Sequence, residues 1–292
     1  MISLAFHHDK IIAATVSDGG DFVQNVELAA PQGGVRDWLL AAKAAVDRLD
    51  SATAGMPAAM ALPAIIDGDA ATLTPVSALR QPSLRRDLQS ALGRTVGLFG
   101  FGDCLAASET QRLAEADTLV ALWIGQSCHG GIRVNGSRLK GAHGGAGNWG
   151  HLQLPSPVPH ELDGRHCWCG RSGCLETFLS KAGFEEDYER VTGEKRSAAD
   201  IAAASLASDI VADSVVQVFE DRLGRATATL INLLDPQVIV LGGVGQLADR
   251  LCERVPRKWP GYVQVDRSRT RLVASADSDA ALLKGAALLM AD

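Results

Sequence analysis

The chain has 292 residues, 47% hydrophobic and 21% charged, with a formal net charge of −6. That length suits two domains or one large one, and scattered basic residues on a negative background exclude the electrostatic footprint of a nucleic-acid-binding protein. No apolar run approaches the roughly twenty residues that cross a bilayer, and no leader pattern precedes the first strand, so a cytoplasmic protein with reduced thiols and no membrane partner is expected.

Residues 2–6 and 11–16 are apolar runs separated by His7-His8-Asp9-Lys10. Asp18-Gly19-Gly20-Asp21 then turns the chain into residues 22–29, giving three strands in a meander. Over 34–50, Val35, Trp38, Leu39, Ala42, Ala45, Val46 and Leu49 fall at helical spacing. A strand at 58–61, a helix at 83–92, a strand at 96–99 and a helix from about 103 to 116 complete a βββαβαβα half. A second half repeats the order, with strands at 119–124, 131–135 and 152–154. Its helices start at Ser197-Ala198-Ala199-Asp200 and over about 209–234, where Gly224 weakens the middle and Asp235-Pro236 ends the pattern. A buried strand at 238–241 stops at Gly242-Gly243; residues 262–265 and 271–274 are extended, and 280–290 is helical. Two such halves in tandem predict an α/β protein of the actin-like, ribonuclease H-like sugar-kinase arrangement. Its similar domains, 1–117 and 118–279, would face across a cleft, with a last helix over about 280–292 packing back on the first.

Half of the six cysteines fall within eight residues, Cys167-Trp168-Cys169-Gly170-Arg171-Ser172-Gly173-Cys174, and His151 stands sixteen positions before them. His151, Cys167, Cys169 and Cys174 can close a tetrahedral zinc shell. Three thiolates and an imidazole leave no open position, so the metal would be structural. A disulfide or a pair of core cysteines is the competing reading, but an odd cysteine in a polar, glycine-bearing turn suits metal better.

The stretch 141–151, the cysteine cluster with Leu175-Glu176, the run 234–243 and Gly285-Ala286-Ala287-Leu288-Leu289 together resemble the ROK family of repressors and sugar kinases. Within it the chain is most similar to the bacterial N-acetylmannosamine kinases. The resemblance implies phosphoryl transfer from ATP, with magnesium, to a hexose or N-acylhexosamine. ROK repressors carry a helix-turn-helix domain ahead of the kinase fold; here the first strand starts at residue 2, so a DNA-binding repressor is not expected. The family also implies a homodimer.

Several of the family's phosphoryl-transfer motifs are altered. Its first phosphate turn, Asp-x-Gly-Gly-Thr-Lys, is Ala5-Phe6-His7-His8-Asp9-Lys10, where only Lys10 matches; the alternative is an ordinary polar hairpin. Its second glycine turn is Gly125-Gln126-Ser127-Cys128-His129-Gly130-Gly131, in which Gly130 and Gly131 serve either an anion or a hairpin. The catalytic carboxylate of its Asn-Asp motif falls on Phe101, after Gly100. Asp103 is either a displaced base or a helix N-cap. On the sugar side, Asn148 replaces the glutamate of Glu-x-Gly-His, His151 is kept, and Glu176 matches the sugar-binding glutamate or is a solvated first-turn residue. Gly242 and Gly243 approach a nucleotide or serve a strand-to-helix turn. Whether the chain is an enzyme is therefore open. The preferred expectation is a zinc-braced ROK scaffold that binds a carbohydrate or an acidic small molecule, with weak or absent phosphotransfer. The alternative is an active N-acylhexosamine kinase with Asp103 as base and Asp9 helping to hold magnesium.

Overall fold

The computed structural model describes residues 1–17, 20–49, 53, 55–162 and 164–291. Residues 18 and 19 of the turn expected before the third strand, the end of the expected 34–50 helix and residue 292 lie outside the described residues. The first half runs β1 (Ile2–Phe6), β2 (Lys10–Val16), β3 (Phe22–Ala29), α1 (Val35–Asp47) and β4 (Ala58–Leu62). It continues through the small hairpin β5 (Ile65–Asp67) and β6 (Ala70–Leu73), then α2 (Leu84–Leu92), β7 (Val96–Gly100) and α3 (Phe101–Glu109). The second half has β8 (Thr118–Ile124), β9 (Cys128–Val134), β10 (Ser137–Arg138), α4 (Glu176–Leu179), α5 (Lys181–Thr192) and α6 (Ala198–Leu206). It ends with α7 (Ile210–Leu234), β11 (Val238–Gly242), α8 (Ala248–Arg254), β12 (Arg271–Ala274) and α9 (Ser278–Ala291).

The two large sheets have the same plan. Their strand orders are β3-β2-β1-β4-β7 and β10-β9-β8-β11-β12. In each, three antiparallel strands are followed by two parallel ones. The sequence reason is burial on both faces: β1, β4 and β11 are apolar or small at every position and fully buried, as parallel crossover strands require. This is the actin-like α/β arrangement.

Between the sheets lies a third core cluster built on α3 and α9, which pack on each other, with Ala5, Ala59, Ala61 and Ala121 as its small floor residues. Close approach of the two helices depends on Gly285, where a Cβ would stand 1.8 Å from the Cys104 carbonyl oxygen. Backbone cannot move aside as a side-chain tip can. Gly285→Ala is expected to lower stability by about 2–3 kcal/mol, the cost of overpacking, read as a fall in the urea midpoint.

Four expectations are corrected. Residues 152–154 form no strand: a single bridge joins Gln153 to Cys174, Pro155 follows, and β10 is the third strand instead. The helix expected over 103–116 is Phe101–Glu109 with turns after it. Gly100 is its N-cap residue and Asp103 sits in its first turn, so Asp103 is not the cap. Residues 262–265 are not a strand; they leave a 3-10 turn over Val255–Gly261, with Val263 N–H bonded to the Trp259 carbonyl. The helix start expected at Ser197 does form, its side chain accepting the Asp200 backbone N–H, and Asp209 caps α7 in the same way.

Candidate functional site

His151 ends a 3-10 turn at Trp149–His151, and the three cysteines lie on a tight loop closed by the Cys167 N–H to Arg171 carbonyl bond. The ligand atoms of His151, Cys167, Cys169 and Cys174 all lie within 4.8 Å of one another, a set that can hold a metal ion. Cys167 Sγ is 3.6 Å from His151 Nδ1, and Cys169 Sγ is 3.7 Å from Cys174 Sγ.

Glu176 opens α4 directly beyond this loop and is only 2% exposed. Its Oε2 accepts the Cys128 backbone N–H at 2.7 Å and its Oε1 accepts the Trp168 indole N–H at 2.9 Å. Burial pushes its carboxyl up to about 7 against the pull of those donors. It is therefore a tie between the cysteine loop and β9, not a solvated residue. The Trp168 ring meets His151 edge-on at 4.8 Å between centroids.

Phe101, the residue expected to replace the family's catalytic carboxylate, is a buried ring in the cleft. Around it stand His7 from the β1–β2 turn at 5.1 Å, Trp123 from the end of β8 at 5.2 Å and His129 from β9 at 5.8 Å, the last two edge-on. Rings at these separations attract beyond their area burial. Burial lowers the pKa of His7, with Asp279 opposing, and takes His129 down to about 3, with His151 adding to the effect. His129 Nε2 lies 2.6 Å from Ser127 Oγ. Neutral imidazoles and hydrocarbon rings give a transferring phosphoryl group no countercharge.

The buried neutral His129 predicts an acid sensitivity. Between pH 6.5 and about 3 the unfolded chain takes up a proton that the folded chain does not, so stability falls with falling pH by about 1.4 kcal/mol per unit. Relative to His129→Gln, the wild-type chain should lose about 2 kcal/mol more between pH 6.5 and 5, measured by urea unfolding.

Phe101, Trp123 and His7 floor a cavity of about 390 Å³ whose rim carries Asp9, Lys10, Lys181, Asp277 and Asp279. Lys10 Nζ is engaged by Asp279 at 3.0 Å and Glu27 at 3.3 Å. An adjoining cavity of about 310 Å³ shares Lys181 and Gly243 and has apolar walls from Phe184, Ala202, Phe219 and Leu251. Gly243 has φ +79°, and a Cβ there would be 2.4 Å from the Ile124 carbonyl oxygen; at Gly242 it would be 2.7 Å from Leu105. Both glycines are demanded by packing, and Gly243 in addition borders both cavities.

Gly130 and Gly131 let backbones touch. A Cβ on Gly130 would lie 2.1 Å from the Gly147 carbonyl oxygen, and one on Gly131 would lie 2.3 Å from that of Gly102. Gly144 likewise abuts the Ile66 carbonyl, at 1.9 Å from its notional Cβ, closing the cleft at this level. What remains beside Asn148, Gly130 and Asp103 is a void of about 20 Å³. Asp103, 8% exposed, accepts a bond from Arg138 Nη2 at 2.5 Å. Burial pushes its carboxyl up to about 6, while Arg138 and Arg133 pull the other way.

The structure thus gathers Lys10, Phe101 and Gly243 at one cavity system, and Asn148, Gly130 and Asp103 at the small void. His151 and Glu176 lie at the cysteine loop. Sequence reading missed Trp123, Lys181, Asp277, Asp279 and Arg138. Trp123 sits in a strand that is apolar at every position after Thr118 and Arg138 in a two-residue strand, so neither carries a periodic signal.

The family model described as "ROK family" matches residues 1–292. An N-acetyl-D-glucosamine kinase of Vibrio vulnificus is 31% identical over 238 residues, covering 79% of this chain and 78% of that protein. A ROK family glucokinase from Streptomyces griseus, solved with glucose and AMPPNP, superposes with a TM-score of 0.84 at 20% identity, covering 99% and 98% of the two chains. A ROK family transcriptional regulator, a homologue of the E. coli MLC protein, superposes at 0.81 with 24% identity, covering 99% of this chain and 80% of that one. Kinases and a regulator share the fold, so fold alone does not choose between activities. On the family match along its whole length and the identity to the curated kinases, the chain belongs to the ROK family.

Proposed function

We propose that this chain is a sugar-kinase homologue of the ROK family that binds a small-molecule carbohydrate and transfers phosphate from ATP weakly or not at all. The observation that carries this reading is the buried Phe101 ring, packed among His7, Trp123 and His129, at the position where the family has its catalytic carboxylate. Loss of a positioned acid–base group alone costs about 10²–10⁴ in rate. The void of about 20 Å³ beside Asn148 means that a sugar enters only after the Gly144 loop parts from Ile66. In this reading His151, Glu176 and Asn148 border that opened space, and the domains divide at 117/118 as expected from the repeat.

Zinc is the metal proposed for the cysteine loop. Tetrahedral arms of ~2.3 Å to sulfur and ~2.05 Å to nitrogen give edges of about 3.8 and 3.6 Å, against the observed 3.7 and 3.6 Å. With four protein ligands it supplies bracing and no reaction step. A cytoplasmic homodimer completes the proposal; among the described residues no single helix is long and apolar enough to cross a membrane.

A second reading, an active N-acylhexosamine kinase using ATP and magnesium, is favoured by the 31% identity to the Vibrio enzyme. It needs Asp103 as base, yet that carboxylate is held by Arg138 in the first turn of α3. The two are separated by following ADP with ATP, magnesium and a panel of hexoses and N-acylhexosamines. The expected rate is at least about a hundredfold below the ~1 s⁻¹ low end of typical kinases. Sugar-dependent turnover at or above ~1 s⁻¹ would falsify the proposal.

A further inference from the structure

The β9–β10 hairpin sets Arg133 and Arg138 directly opposite each other across the two strands. Like charges in that position repel, and an anion between them removes the repulsion. One anion is internal: the Asp103 carboxylate accepts from Arg138, and both guanidiniums act on it. Among the described residues one carboxylate acts on the pair, and it does not balance two guanidiniums. Arg133 spends its Nη2 on the Gly136 carbonyl, a neutral acceptor. The Nε–H groups of both arginines are buried and bond no acceptor among the described residues. An unmet buried donor is costly, and more so when it is charged. Both arginines line an open cavity of about 560 Å³, with Ser137 beside them and the apolar side chains of Phe99 and Leu289 as walls. None of these residues lines the cavities of about 390 and 310 Å³ in the cleft.

We propose that this cavity is a second ligand site, outside the cleft, for a phosphate-bearing small molecule whose anion bridges Arg133 and Arg138 and whose body rests on Phe99 and Leu289. A tetrahedral oxyanion suits two facing guanidiniums, whose positive charge and donors not spent on Asp103 or Gly136 it can meet. The site also reaches the cleft side. Asp103 lies behind Arg138 and borders the small void beside Asn148, so an anion that draws Arg138 outward loosens Asp103 from its partner. The inference does not depend on whether the chain phosphorylates anything, because it concerns binding at a separate surface.

The test is titration calorimetry of the full chain with inorganic phosphate and with glucose 6-phosphate, at fixed ionic strength because such contacts are screened. Saturable binding is expected, tighter for the phosphate ester than for inorganic phosphate because of the apolar walls. Arg133→Gln should weaken it about tenfold or more, as loss of a charge-assisted donor pair does. Arg133→Lys, which keeps the charge and loses the fork, should fall between. Asp103→Asn removes the competing carboxylate and should strengthen binding severalfold. Circular dichroism of each variant checks folding, and Arg133 lies on a surface hairpin where its loss leaves the cores untouched. No saturable binding by either probe, or equal affinity in the wild type and Arg133→Gln, overturns the proposal. Equal affinity for the two probes overturns the part assigned to Phe99 and Leu289.

Discussion

Stripping the metal from the His151, Cys167, Cys169 and Cys174 cluster is expected to lower the melting temperature by at least about 10 °C. Structural zinc sites in small peptides contribute about 10–16 kcal/mol of apparent binding free energy, which is folding free energy where no site is formed beforehand. In a chain of this size one kcal/mol moves the midpoint by about 2 °C, so even half of the smaller figure gives that shift. The reason lies in what else holds the loop. Its backbone bonds are few, chiefly Cys167 N–H to Arg171, Gly170 N–H to Cys167 and Gly173 N–H to Arg165. Its one large apolar side chain, Trp168, is 40% exposed. Without metal, Cys167 and Cys174 remain buried with no strong partner, and the loop frays. Glu176 then loses the Trp168 donor while its other oxygen stays on Cys128. Cys174→Ser should reproduce the shift without chelator. Metal content near one equivalent per chain, with a midpoint restored by zinc after chelation, is the confirming result. Less than about half an equivalent in protein prepared without chelator, or an unchanged midpoint after stripping, sinks the zinc reading.

How far the chain could be read from its residues depended on whether a feature was local. β1, β2, β4, β11 and α7 announce themselves because burial on both faces, or on one helical stripe, leaves a continuous pattern. The candidate metal cluster was legible for the same reason, since three of its four residues fall within eight positions. Phe101, as the residue expected at the catalytic position, could be singled out by matching Gly100 to Glu109 against the family's helix. Its surroundings could not, because His7, Trp123 and His129 come from three other elements and only the sheet topology brings them together. Glu176 is expected to face sugar, and the two internal donors it also meets emerge only when the cysteine loop is folded beside β9. The N-cap reading of Asp103 failed because Gly100, with no side chain to offer, is the capping residue, and the carboxylate turns instead to Arg138. Gly130 and Gly131 show how a glycine pair fits two physical needs equally well in sequence; the backbone approach to Gly147 and Gly102 shows that packing needs both, and an anion role stays a separate proposal.

Restoring the family's carboxylate by Phe101→Asp is expected to damage the protein without rescuing phosphotransfer. Removing a buried phenylalanine costs about 3–5 kcal/mol in lost transfer and residual cavity. A carboxylate placed among His7, Trp123 and His129 would be buried beside neutral rings, which adds a desolvation cost or forces it to stay protonated and useless as a base. A fall of at least ~4 kcal/mol is therefore expected in urea unfolding, with Phe101→Leu as the packing control losing about 1–2 kcal/mol. Turnover with ATP, magnesium and an N-acylhexosamine should stay within about tenfold of the wild type. On the proposed reading the base is only one of the altered parts: Ala5 and Asp9 stand where the resemblance puts the first phosphate turn's carboxylate and threonine, and His129 falls in the second. Positioning and charge stabilisation together outweigh proton transfer in this chemistry. If the variant folds and its turnover rises a hundredfold or more, the cradles are competent as they stand and the chain is a kinase silenced at one residue. If it folds and stays silent, the loss of phosphoryl transfer is distributed over the β1–β2 turn, the start of α3 and the β8–β9 turn, as the arrangement of the aromatic cluster implies.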